Sequence, residues 1–298
     1  MIFLKTPFRV IYRHSAIARN LYFLTRFLQC NRYWPNFKNP RTYNEKINNR
    51  KRDPKNPLFV TCSDKVLAKE YVAEKLAPEI IIPNYYVGTT ISFQQLKAIL
   101  QKEGDCFLKA NHNSGPVQLL TSHSSDEEIH AAIASVNQQL KMDYGKQKLE
   151  PWYSEIKRLV LVEKRLEPEH GDIDIRDYKF HVFNQPDGTT KIIVSVDFDR
   201  SGNHTRSFYD ENLNWLPFSI KYPTVVTDLE RPENYDQMLE IARFLAKPFT
   251  YLRVDLYNVK GQIYFGELTF AHGGGGEEFT ARAYDLWMGL LWHGDPRY

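Results

Sequence analysis

Apolar residues recur along this chain at two spacings, and the change from one to the other marks its elements. Ile17, Leu21, Leu24 and Leu28 repeat every three or four residues. That spacing predicts a helix which lays one stripe on the body of the protein and leaves Arg13, Arg19 and Arg26 in water. From Cys30 to Pro57 the pattern dissolves into Asn, Pro and charge, which reads as an ordered but irregular connector. A helix follows, with Ser63 as its cap, Asp64 at its positive end and an inward stripe of Leu67, Tyr71 and Leu76. IIIPNYYVG reads as a short buried strand. DCFLKANHNSGPVQLLTS holds two apolar runs around a small-residue tip and predicts a β-hairpin. Ser125 and Glu128 form a capping box for a helix with the stripe Ile129, Ile133, Val136 and Leu140. RLVLVEKRL, DIRDYKFHVF, TTKIIVSVDF and the two halves of YLRVDLYNVKGQIYFGELTF then alternate as strands. No internal repeat or low-complexity tract interrupts this order.

Charges inside these strand patterns need a reason. Lys109 ends the first hairpin strand, and the tip of His112, Asn113, Ser114 and Gly115 can offer backbone N–H groups to a phosphate, since Gly and Asn tolerate positive φ. Glu163, Lys164 and Arg165 interrupt an apolar run. Asp177 and Lys179 share one face of a strand that also carries Phe180, Val182 and Phe183. Arg253, Asp255, Glu267 and Thr269 break the last two strands, which a short turn over Asn258–Gly261 places side by side. Two carboxylates converging there repel unless a cation lies between them, and oxygen-only ligands favour Mg²⁺. An ion pair of Arg253 with Asp255 or Glu267 is the structural alternative, and a charged edge strand accounts for any one of the others. Gly273 to Gly276 would be an entropic liability in scaffold and suggest a loop that approaches ligand.

Composition narrows the class. A chain of 298 residues with 42% hydrophobic content can bury a large core over two or three lobes. It has no run of about eighteen apolar residues and no signal-peptide pattern at its start, so the expected compartment is the cytoplasm. Cys30, Cys62 and Cys106 lack metal-ligand spacing and read as buried thiols. The net charge of +3 is uneven: residues 1–56 hold 13 Lys or Arg against Glu45 and Asp53, a net of +11, leaving −8 for the remainder. Charge alone does not choose among nucleic acid, an anionic membrane and an acidic polymer as partner for that end, and a solvated face is the plain reading.

The order of parts resembles the ATP-grasp superfamily, and within it the TupA-like family associated with teichuronopeptide and other bacterial surface-polysaccharide biosynthesis. NPRTYNEKINNRK, SDKVLAKEYVAEKL, FLKANHNSG, VEKRL, DYKFHVFN and YFGELTF carry the resemblance, in that order. It implies an α+β fold in which two lobes with antiparallel sheets clasp ATP, without a Walker A loop. The division it suggests is a basic helical extension over 1–60, a region with the lid lobe over 61–165 and a lobe with the Mg²⁺ site over 166–298. By resemblance, Lys109 and the tip His112, Asn113, Ser114 and Gly115 meet the phosphates. Glu163, Lys164, Arg165 and Leu166 form the hinge that reads adenine, and Asp177 holds the ribose. Lys179 is a second phosphate or substrate cation, Arg253 steadies the transferring charge, and Asp255 and Glu267 hold Mg²⁺. Thr269 departs from the Asn common at that place.

The implied reaction joins a carboxylate to an amine through an acyl phosphate, with ATP and Mg²⁺ as cofactors. The implied partners are a small-molecule or glycan carboxylate and an amine, with peripheral contact to a membrane-attached polymer and no nucleic acid. The family's context points to a uronic acid as the carboxylate and an amino acid or small amine as its partner. Two other classes stay open at this stage. A glycosyltransferase of the same pathway would show early βαβ alternation, which is absent, and a non-catalytic protein that binds an acidic glycan would show no ADP release.

Overall fold

In the computed structural model the described residues are 15–168, 175–199 and 202–295. Arg13 lies outside them. Two antiparallel sheets organise the chain. The first is built from β1 (Asn84–Gly88), β2 (Cys106–Ala110), β3 (Gln118–Leu120) and β4 (Val160–Lys164), in the order β1-β4-β2-β3. The second has the order β10-β9-β5-β6-β7-β8. Its strands are β5 (Asp177–Asn184), β6 (Thr190–Phe198), β7 (Thr205–Asp210), β8 (Trp215–Leu216), β9 (Tyr251–Val259) and β10 (Gln262–Thr269). Each has its own core. Leu96, Leu100, Leu108, Ile129 and Val136 fill the first, beneath α5 (Phe93–Glu103) and α6 (Asp126–Leu140). The larger core lies on both faces of the second sheet, where α7 (Tyr235–Ala246) packs Met238, Ala242 and Leu245 under Phe180 and Val254. Every ladder among the described strands is antiparallel, so no doubly wound parallel sheet is present. No helix of the described residues is long and apolar enough to cross a membrane.

Several sequence readings change at the N-terminal side. α1 (Ala16–Asn31) is capped by Ser15, but its buried face is Ala18, Phe23 and Phe27, leaving Ile17 and Leu21 exposed. Aromatic area outweighs the Ile/Leu stripe, because Phe27 meets Tyr33 and Phe37 edge-on at 5.0 and 5.6 Å. Arg19 and Arg26 are exposed as expected. The connector contains a helix, α2 (Tyr43–Arg52), started by a capping box of Thr42 and Glu45. It escapes periodicity because only Tyr43 and Ile47 are apolar, and its other buried side chains are polar. After α3 (Leu58–Ser63), the expected Ser63 cap is absent: α4 (Leu67–Lys75) starts from Val66 with no side-chain cap, and Asp64 accepts from Val66 N at 2.8 Å just ahead of it. α4 buries Ala68, Lys69 and Val72, and Leu67 is exposed. The strand expected over the Ile run begins only at Asn84 and is half-buried.

α2 is seated against the second sheet and the residues that follow it. Arg50 is 2% exposed, donates to the carbonyls of Tyr251 and Phe270 at 3.0 and 3.1 Å, and forms a two-point pair with Asp295 at 2.6 and 2.7 Å. Its guanidinium also lies 4.4 Å from the Trp292 ring centre. Among the described residues of 1–56 Arg50 and Lys51 are the buried cations, and most of the other basic side chains there are exposed. Arg50→Ala should leave two carbonyls without this donor and Asp295 with Thr250 alone, and cost about 3 kcal/mol or more. Chemical denaturation would show it, and an unchanged midpoint would count against this account.

Candidate active site

The second sheet carries a row of charges across one face, set there by strand register. Lys179 on β5 lies opposite Asp255 on β9, Asp255 opposite Glu267 on β10, and Asp197 on β6 opposite Arg206 on β7. A bulge between Phe265 and Glu267 makes this possible. Gly266 sits in it because a Cβ there would lie 3.0 Å from the Asp255 carbonyl. Arg253 then grips Asp255 with Nε and Nη2, both at 2.7 Å, and reaches Glu267 with Nη2 at 2.7 Å. Thr269 donates to Glu267 at 3.0 Å. The ion pair considered from sequence is thus present, and it joins the two carboxylates.

Lys179 is the hub on the other side. It bonds Asp177, lies 3.1 Å from Asp197 and 3.8 Å from Asp255, and is almost wholly buried. Burial pushes the Asp255 carboxyl up to about 7, against Arg253 and Lys179 and with help from Glu267 and Asp177. Such a carboxyl draws positive charge. Asp197, Arg206 and His204 were not visible from sequence. Asp197 has no exposed side chain and accepts from His204 at 2.8 Å and Arg206 at 2.7 Å. Burial alone would raise its carboxyl, but Lys179, Arg206 and His204 hold it well below the ordinary range.

A depressed carboxyl stabilises the fold above its unfolded pKa, and that contribution is lost as pH falls through the lower folded value. Thermal melts from about pH 5 downward should show this loss in the wild type. Asp197→Asn should cost about 3 kcal/mol at neutral pH and flatten the acid dependence. An unaltered acid slope would refute the assignment.

The first sheet presents a second cluster. Glu163 on β4 is held between Lys69 at 2.5 Å and Lys109, which together keep its carboxyl ionised against its burial. Lys69 also donates to Ile82 O and Asn84 Oδ1, both at 2.7 Å. Of the residues expected to form a hinge, Lys164 N and Arg165 N already bond the carbonyls of Pro83 and Asp105, and the Arg165 side chain pairs with Asp105 at 2.8 Å. Leu166 is half-buried.

β2 and β3 form the expected hairpin, but no residue of 111–116 has positive φ. The tip is held by side chains instead. Asn113 Oδ1 accepts from Gly115 N at 3.2 Å and its amide donates to Gln139 at 3.0 Å. His112 is buried, with Nε2 3.2 Å from Met142 O, so it supports the tip from within; Ser114 is the exposed member.

The two clusters meet at Lys65. Its amine donates to Asn113 O at the tip, and burial pushes it down to about 8 against the pull of Glu267 and Glu163. Lys65, Asp64, Asn113, Ser114 and Glu267 line a cavity of about 20 Å³, room for one water. A larger cavity of about 530 Å³ lies between Lys55, Phe59, Asn184 and Thr250, at the far end of the second sheet and away from these charges. Lys65 and Lys69 lie in the string SDKVLAK. A buried lysine on an otherwise apolar helix face is the signal that marks Lys69.

The glycine run packs against protein. Gly273, Gly274 and Gly275 all have φ near +60°, and a Cβ at Gly275 would lie 2.3 Å from Asn48 and 3.0 Å from the Asn44 carbonyl. The close approach is to α2.

A model of TupA-like ATP-grasp proteins matches residues 45–292. No curated protein matches the sequence. Among solved structures, the D-alanine–D-alanine ligase of Helicobacter pylori is similar at 16% identity and a TM-score of 0.48, over 79% of this chain and 61% of that one. D-alanyl-alanine synthetase A of Vibrio cholerae is similar at 14% and 0.45, over 71% and 56%. N5-carboxyaminoimidazole ribonucleotide synthetase of Thermus thermophilus is similar at 11% and 0.42, over 76% and 52%. The chain thus spans between half and two thirds of the length of these structures. With the family model covering most of its sequence, the chain belongs to the TupA-like ATP-grasp family and has the α+β ATP-grasp fold.

Proposed function

We propose that this protein is an ATP-dependent carboxylate–amine ligase of the cytoplasm that requires Mg²⁺. The observation that carries this reading is the pairing of Asp255 and Glu267 at the bulge, bridged by Arg253 and facing the hairpin tip across Lys65. Among the described residues no group of three or more His, Cys, Asp and Glu could hold a metal alone. Two carboxylates nevertheless fit Mg²⁺, which binds to one or two carboxylates and completes its octahedron with water and phosphate oxygens. The raised Asp255 carboxyl supports the same fit, since a further cation beside it favours its ionised form.

When bound, Mg-ATP supplies the transferable phosphoryl group and the Lewis acid. The chain's own residues orient and shield. Lys69, Lys109 and Lys65 are the cations that phosphate oxygens would meet at the tip, and Glu163 keeps the first two positioned beforehand. The cavity there leaves no room for phosphates, so the tip lifts for nucleotide and recloses to exclude water. Arg253, held by Asp255, presents its guanidinium to the charge of the phosphoryl group in transfer to the substrate carboxylate. The carboxylate is a uronic acid of a bacterial surface polysaccharide or its precursor and the amine an amino acid or small amine, a reading supported by the family match alone.

The test is ADP release with Mg-ATP, galacturonate oligomers and a panel of amino acids. ADP should appear only when Mg²⁺, acid and amine are all present. Release indifferent to acid and amine would reduce the protein to an ATPase and overturn the reading.

A further inference from the structure

The outward side of α1 carries apolar groups that the fold does not use. Ile17 and Leu21 are 76% and 47% exposed, and their spacing puts them on one face of the helix with Leu24 and Leu28, which are half-buried. Phe23 and Phe27 make the contact with the protein on another face. Asn20 lies between Ile17 and Leu21 on the outward face and accepts from Arg52 Nη2 at 2.9 Å. That bond sets a guanidinium beside the two aliphatic side chains, 4.9 Å from the Phe37 ring centre. Phe37 packs edge-on against Phe27 at 5.6 Å and so ties the turn after α1 back to the helix. Trp34, in the same turn, is 73% exposed.

Charge around this face is almost all of one sign. Arg19, Arg26, Lys38, Arg41 and Arg52 are exposed, whereas Glu45 is buried and Asp53 is the exposed carboxylate of the segment. Arg32, at the far end of α1, lies 3.5 Å from Glu278 with both side chains largely in water, a pair too open to hold it. Exposed aliphatic and indole groups thus coincide with a cationic surround. An acidic polymer in water would use the cations but would leave Ile17, Leu21 and Trp34 without a partner. An anionic bilayer surface uses both, because its headgroups meet the cations while its acyl boundary takes the apolar side chains. Indole rings favour that boundary, and long basic side chains reach from it to the headgroups. With 16 residues α1 is about 24 Å long, short of the roughly 30 Å hydrocarbon core, so it can lie on such a surface and not cross it.

We propose that the outward face of α1, with Trp34 and the cations around it, docks the protein on an anionic lipid surface. The proposal does not depend on the ligase reading.

Cosedimentation of the full chain with vesicles tests it, using phosphatidylcholine alone and phosphatidylcholine mixed with phosphatidylglycerol. The protein should bind the anionic vesicles about tenfold more tightly than the neutral ones, and the difference should shrink with added salt. Ile17→Ser with Leu21→Ser should weaken binding to the anionic vesicles by about tenfold or more while leaving melting and ATP binding nearly unchanged, since both side chains face water. Arg19→Glu with Arg26→Glu should remove the preference for anionic vesicles at equally little cost to melting. Failure to bind either kind of vesicle overturns the proposal. So does binding that keeps its wild-type strength in the double serine variant, and polygalacturonate competing for that binding would then assign the cations to an acidic polymer. A clear fall in melting temperature or a change of oligomeric state in the serine variant would give the face to another part of the chain or to a second copy, and would overturn the proposal likewise.

Discussion

Glu267→Gln should lower acid- and amine-dependent ADP release by about a thousandfold, the scale seen when one charge-stabilising group is removed from a reaction centre. It should leave the fold intact. The Glu267 side chain is 48% exposed, and Arg253 keeps its two-point grip on Asp255, so the loss is confined to one arm of the guanidinium. Asp255→Asn should abolish turnover as well, but it is a poorer probe. It strips a buried guanidinium of its main partner, which costs about 3 to 5 kcal/mol. The discriminating measurement is turnover at matched folded fraction, with melting recorded for both variants. Wild-type ADP release in Glu267→Gln would leave Arg253, Asp255 and Glu267 as a structural ion pair and remove the chemical centre of the ligase reading.

The second large effect separates two partners in one cluster. Lys109→Ala should abolish or greatly weaken ATP binding at little cost in melting temperature, because Glu163 retains Lys69 at 2.5 Å. Glu163→Ala should lose both binding and stability. It leaves Lys69, 5% exposed, facing only a carbonyl and an amide oxygen, and the expected cost is about 3 to 5 kcal/mol. Nucleotide titration and thermal melts on both variants give four numbers. A Lys109→Ala protein that melts far below wild type but still binds ATP would place that lysine in the scaffold.

What could be read beforehand followed the physics of each element. The strands of the second sheet and the capping box of α6 were legible because alternation and capping are local. Asp255, Glu267 and Arg253 stood out as charges inside apolar runs and do converge. Asp197 did not, although it too interrupts an apolar strand, because its partners are Arg206 on β7 and His204 just before that strand. α2 was invisible for a different reason: its burial rests on hydrogen bonds and ion pairs rather than on apolar area, so periodicity has nothing to detect. The glycine run reads as a loop close to ligand because sequence shows that the backbone comes close to something without showing to what; in the structure Gly275 lies against α2.

The seating of α2 has a consequence for how the chain acquires its shape during synthesis. Tyr43 meets Tyr251 and Arg50 meets Tyr251, Phe270 and Asp295, partners some 200 to 245 positions later. The first sheet, complete by Lys164, can form while the ribosome is still making the second. α2 is made early and has to wait for β9 and β10, which are made late, a long loop closure of the kind that slows folding. Until then its buried cations stay hydrated, and the surplus of basic residues over 1–56 helps to keep the nascent chain soluble.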